Sequence, residues 1–101
     1  MTLPVIVTTE AAIDLAELAW SYDAKSPGLG DQLYEVFLAR LAQGADFPRS
    51  GRTYYRATRR FLLRPFHVFL MYRVHEKHIQ VVALMDARQR PRTIRRTLRG
   101  R

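Results

Sequence analysis

The side chains that could do chemistry in this chain are mostly arginines. Of the fifteen cations in residues 49 to 101, fourteen are arginine, whose planar fork suits phosphate and carboxylate oxygens, whereas lysine would serve solubility equally well. Arg56, Arg60, Arg64, Arg73 and Arg88 are placed to lie on or beside strands, and seven arginines fall between Arg88 and Arg101. Arginine stays protonated at ordinary pH, so it stabilises developing negative charge but is a poor proton shuttle. A shuttle would have to be His67, His75, His78, Glu76, Asp86 or a tyrosine. His75, Glu76 and His78 cluster at a polar break that reads as an exposed turn, and a flexible tip fixes no coordination geometry, so neither a metal nor a cofactor is expected. His67 reads as a partly buried strand histidine. Asp86 lies among arginines and should be ionised, its pKa drawn down, paired with Arg88 or with the basic tail. Tyr54, Tyr55 and Tyr72 could stack on bases, but tyrosines in a strand more often pack in a core with the hydroxyl at the rim. Trp20 could anchor a helical hairpin or a partner helix.

These residues need a scaffold, and the hydrophobic periods supply one. Leu3 to Thr8 is a short β-branched run that reads as a strand, with Pro4 where a missing donor is tolerated. Thr8 or Thr9 can cap a helix whose apolar face is Leu15, Leu18, Ala19 and Tyr22. Ser26-Pro27-Gly28-Leu29-Gly30 interrupts it. A second stripe follows at Leu29, Leu33, Val36, Phe37 and Leu41, ending near Gln43-Gly44. Asp46 to Gly51 is a loop by its Pro and Gly. The period then changes to two: Thr53–Thr58, Phe66–Val74 and His78–Leu84 read as three strands, the last two joined by a hairpin turn at His75-Glu76-Lys77. The last strand is apolar at nearly every position and belongs at the centre of a sheet. Pro91 to Leu98, with Ile94 and Leu98 four apart, reads as a short basic helix or as a tail that orders on a partner. The fold class is α+β, in the order β-α-α-β-β-β, with a helical hairpin packed on a mainly antiparallel sheet and a short basic C-terminal tail or helix.

Length and charge narrow the function classes. At 101 residues and 48% hydrophobic the chain reads as a single domain, 1–101, with one core and no room for a second catalytic domain. No apolar run approaches the roughly 18 residues of a membrane span. There is no secretory signal in Met1-Thr2-Leu3-Pro4, and the absence of cysteine fits a reducing cytoplasm, where the protein is expected. Residues 1 to 48 carry two basic and seven acidic residues, a net of −5; residues 49 to 101 carry fifteen and two, a net of +13, giving the total of +8. A surface of that sign attracts a polyanion or an acidic partner.

An ordered set of phrases resembles the RelE/ParE superfamily of bacterial toxins, the small basic halves of toxin–antitoxin pairs. They are Ala12-Ile13-Asp14-Leu15-Ala16-Glu17-Leu18 after the first strand, the Pro27-Gly28-Leu29-Gly30 turn, and the helix exit from Leu41 to Pro48-Arg49-Ser50-Gly51. Arg60-Phe61, Pro65 to Val74, and Ala83-Leu84-Met85-Asp86-Ala87-Arg88 with Pro91 beyond complete the set. The resemblance covers Val5 to Pro91, and the phrase ending in Tyr72-Arg73-Val74 with the Arg88-to-Pro91 stretch is closer to ParE.

The resemblance implies a type II toxin silenced by a cognate acidic antitoxin in a hetero-oligomer. It leaves two targets open: DNA gyrase, inhibited by binding, or messenger RNA on the ribosome, cut by a RelE-like endoribonuclease. A basic nucleic-acid-binding domain without toxicity is a third reading. Many members of the superfamily carry His or Tyr after the last strand, where this chain has Asp86, which would repel a phosphate more readily than assist it. Gyrase inhibition and growth arrest by binding are therefore the favoured reading, through Arg60, Arg64, Arg73, Arg88, Arg90, Arg92, Arg95 and Arg96. If the chain were a nuclease, Arg56, Arg60, Arg73 and Arg88 would be the catalytic candidates.

Overall fold

A computed structural model describes residues 2–101. The elements run β1 (Val5–Val7), α1 (Thr9–Lys25), α2 (Leu29–Asp46), β2 (Arg52–Tyr55), β3 (Thr58–Leu62), β4 (Val68–Val74), β5 (Ile79–Asp86) and α3 (Pro91–Arg99). The strands form one sheet in the order β1-β5-β4-β3-β2. β1 is parallel to β5, and every other pair is antiparallel.

Local chemistry sets the hairpin. The Thr8 hydroxyl accepts from the Ala11 N–H at 3.1 Å, satisfying one of the orphan donors at the start of α1. Between the helices, one Asp23 carboxylate oxygen accepts from the N–H groups of Gly28 at 3.2 Å and Gly30 at 2.7 Å. Gly28 has φ 94°, a conformation that glycine adopts without steric cost. At Gly30 the helices approach so closely that a Cβ would lie 2.7 Å from the Ala19 carbonyl oxygen. Ala11, Leu15 and Ala19 of α1 and Leu33 and Phe37 of α2 are buried on one face of the sheet, against Val68, Leu70, Tyr72, Ile79, Val81 and Leu84.

On the opposite face α3 lays Ile94 and Leu98 on Met71, Val82, Ala83 and Met85. A register shift between Met71 and Tyr72 pairs Met71 with Ala83 and Tyr72 with Val81, leaving Val82 as the extra residue of a bulge. The bulge turns both Val82 and Ala83 toward α3, widening the apolar floor on which the helix rests.

The α+β architecture with a helical hairpin on the sheet is as the periods indicate, β5 is interior, and the basic segment is a helix with Pro91 in its first turn. One strand must be added. The run read as Thr53–Thr58 ends at Tyr55; Arg56, at φ 52°, and Ala57 turn the chain back into β3. The order is therefore β-α-α-β-β-β-β, not β-α-α-β-β-β. Arg59 and Arg60, side by side and half-buried, break the apolar signal by which a strand is recognised. The Arg64–Pro65 bond in the following turn is cis.

Candidate target-binding surface

Four of the positively charged candidates are fixed by contacts within the molecule. Arg88 closes a fork on Asp86: its Nε donates to Oδ1 at 3.0 Å, its Nη2 to Oδ2 at 2.9 Å, and its backbone N–H to Oδ1 at 2.8 Å. The Arg88 hydrogen bond holds the Asp86 carboxyl below its ordinary range, and the carboxylate in turn raises the guanidinium. The pair expected from the sequence is thus formed. Arg73 donates from Nε to Thr58 Oγ1 at 3.2 Å and from Nη2 to the Leu98 carbonyl at 3.2 Å. It is a strut between the sheet and the end of α3. The Arg60 guanidinium lies 4.3 Å from the ring centroids of both Tyr54 and Phe69, a double cation–π stack. Arg56 stacks on Tyr55 at 5.2 Å.

The remaining candidates face solvent. Arg64 is exposed in the turn before β4, and Arg90, Arg92, Arg95 and Arg96, with Arg99, are exposed around α3. Among the described residues only Arg88 and Arg101 are ion-paired. Ile94 and Leu98 hold one side of α3 against the sheet, so its arginines necessarily radiate from the other side. Arg96 and Arg99 in the last turn also favour the negative end of the helix dipole. The result is a rigidly seated cationic ridge, suited to gripping an anionic or acidic surface.

The remaining polar candidates have structural roles or lie at the surface; His67, read from the sequence as a partly buried strand residue, is instead exposed in the turn just before β4. Tyr72 is buried; its hydroxyl donates to the Pro48 carbonyl at 2.8 Å and accepts from the Gly51 N–H at 2.9 Å. Tyr54 and Tyr55 are half-buried beside the α3 cluster. His75 stacks on His78 at 4.5 Å at the β4–β5 turn, with its Nε2 2.8 Å from Gln80 Oε1. No group of His, Asp and Glu that could hold a metal occurs among the described residues. Trp20 is 79% exposed on α1, so it does not anchor the hairpin. Sequence reasoning missed Arg101, which pairs with Asp14, and Arg59, which donates to the carbonyls of Arg49 and Gly51. Neither contact leaves a local signal. Among the described residues, no helix is long and apolar enough to cross a membrane.

A helical hairpin on one face of a mainly antiparallel sheet and a cationic helix on the other define a small α+β protein built to present a basic surface. The family model for the ParE toxin of type II toxin–antitoxin systems, parDE, matches residues 5–91, and the chain belongs to that family. The family implies an antitoxin partner in a hetero-complex. The fold is also similar to a solved chain described as the chromosomal ParDE TA system from P. aeruginosa, with a TM-score of 0.74 and 18% identity over 84% of this chain and 96% of that one. Compared with curated proteins by sequence, the chain finds no match. The family match ends at Pro91, so almost all of α3 lies beyond it.

Proposed function

We propose that this ParE-family toxin arrests growth by binding DNA gyrase through the α3 ridge, without bond-breaking chemistry of its own, and that a cognate acidic antitoxin silences it. The observation that carries this reading is the exposure of Arg90, Arg92, Arg95, Arg96 and Arg99 without an acidic partner among the described residues, on a helix whose apolar side is buried. Cations left unpaired on a rigid support are complementary to an external acidic surface. Arg64, exposed in the turn before β4, and Arg88 are secondary contacts in this reading.

Silencing has two physical components. An acidic segment neutralises the basic half, and apolar anchors supply the buried core that a tight interface needs. Ile13, Trp20, Tyr34 and Leu38 are exposed large apolar residues on the hairpin and provide such anchors. Affinity for the antitoxin should therefore decline gently with salt rather than vanish at moderate ionic strength.

The test is replacement of Arg92, Arg95 and Arg96 by Gln, with growth, gyrase supercoiling and messenger RNA integrity all recorded. Loss of growth inhibition and of supercoiling inhibition, with the fold retained by circular dichroism, is the expected result. Toxicity that survives the triple change, or cut transcripts without DNA breaks, would overturn the reading and favour a ribosome-dependent endoribonuclease.

A further inference from the structure

The sheet face that carries α3 extends across β2 and β3, and two arginines stand side by side on those strands. Arg52 and Arg60 are direct cross-strand partners, a relationship that brings Cβ atoms to about 5 Å and makes like charges repel. They line one hollow with Phe61, Leu62 and Phe69, and no acidic side chain borders it. Neither guanidinium has an ion-pair partner among the described residues. The Arg60 guanidinium carbon lies 4.3 Å from the ring centroids of both Tyr54 and Phe69, so two rings hold the group in place while its N–H groups remain the means of recognition. Two adjacent cations, one of them immobilised by aromatic rings, form a preorganised seat for an oxyanion.

We propose that Arg52 and Arg60 form a binding site for the phosphodiester backbone of a nucleic-acid strand, distinct from the α3 ridge. Tyr54 and Phe69 already carry a guanidinium on a ring face, so the site engages phosphate oxygens and does not depend on base stacking. An acidic peptide would need apolar anchors beside its carboxylates. Phe61, Leu62 and Phe69, which line the hollow, are themselves half-buried, whereas the exposed large apolar residues are Ile6, Ile13, Trp20, Tyr34, Leu38 and Phe47, all on β1, the hairpin and the segment after it. Arg49, before β2, and Arg56, in the turn between β2 and β3, are further exposed cations at the two ends of β2. A chain of evenly spaced charges with no need of an apolar anchor fits this surface.

The experiment is fluorescence anisotropy of the purified full chain with labelled oligo-dT and with a duplex of equal length. A methylphosphonate oligo-dT, whose backbone is uncharged, and a polyglutamate peptide serve as controls. Wild type should bind a phosphodiester probe, the uncharged analogue should fail to bind, and polyglutamate should compete poorly. Changing Arg52→Gln with Arg60→Gln should weaken binding about tenfold or more and reduce the slope of log affinity against log salt by about 1.4 for single strands. Arg52 is exposed, so Arg52→Gln alone leaves the fold intact and should remove about half of that slope change. Arg60→Lys keeps the charge without the planar fork and should give intermediate affinity. Wild-type affinity in the double variant, equal binding of the uncharged backbone, or polyglutamate binding as tight as the oligonucleotide would overturn the proposal. Gyrase supercoiling by the same variants is read separately, so failure here leaves the α3 reading standing, and failure of that reading leaves this one.

Discussion

Asp14 on α1 and Arg101, just beyond α3, form a two-pronged ion pair across 87 positions, with Arg101 Nη2 donating to Asp14 Oδ1 at 3.1 Å and Nη1 to Oδ2. Both side chains are mostly buried, at 19% and 21% exposure. The pair occupies the edge of β5 where β1 no longer covers it. β1 pairs only with Ile79 to Val81; beyond that, Asp14 Oδ2 accepts from the Leu84 N–H at 3.1 Å and Arg101 Nη1 donates to the Val82 carbonyl at 3.1 Å. Two side chains thus satisfy backbone groups that a neighbouring strand would otherwise pair.

Asp14→Ala should therefore cost about 1–3 kcal/mol, because it leaves the Leu84 N–H and the Arg101 guanidinium without their acceptor. Urea unfolding measures the loss, and amide exchange should quicken in α3 more than in α2. Unchanged exchange in α3 would show that the pair does not help to seat the helix.

Tyr72 gives a pH signature at the alkaline end. Burial raises its phenol above the ordinary 10.0, outweighing the lowering by the Gly51 N–H and Arg59. A pKa raised by folding means that the stabilising contribution is complete below the unfolded value and lost as pH climbs through the folded one. Wild type should lose stability above about pH 10 more steeply than Tyr72→Phe. At neutral pH that variant should be weaker by about 1–3 kcal/mol, because Pro48 and Gly51 lose their hydrogen-bond partner. Parallel denaturation curves at both pH values would refute the assignment.

Asp86→Asn separates binding from chemistry. The change releases Arg88 from its fork and adds a net positive charge to the ridge. Growth inhibition should be kept or deepened by a few-fold, with the fold intact. Complete loss of toxicity in a folded variant would instead give Asp86 a direct part in a reaction.

Trp20→Ala tests how silencing is achieved. The ring is 79% exposed, so unfolding stability should change by no more than about 0.5 kcal/mol. If the ring anchors the antitoxin, affinity measured by calorimetry should fall by about 2 kcal/mol or more. Unaltered affinity would place the antitoxin away from this part of α1.

What the sequence made legible was what is written locally. The 3.6-residue stripe found Leu15, Ala19, Leu33 and Phe37; Pro91 with Ile94 and Leu98 found α3; and a single residue, Ala87, separates Asp86 from Arg88. β3 was hidden because its centre is Arg59-Arg60, and a half-buried arginine looks like surface until Tyr54 and Phe69 are seen around it. Arg73 had the composition of a target-binding residue, yet its partners, Thr58 and the Leu98 carbonyl, come from distant parts of the chain. The Asp14–Arg101 pair was equally out of reach, since only the folded topology brings α1 to the residue after α3.

β4 and β5 send residues to both sides of the sheet: Leu70 and Val81 lie under the hairpin, while Met71 and Val82 lie under α3. Neither hydrophobic layer owns the strands that floor it, so the melting of one strips the other. Calorimetry should accordingly record one cooperative endotherm, and a toxin of this build has no half-molten reserve state in which one layer outlives its twin.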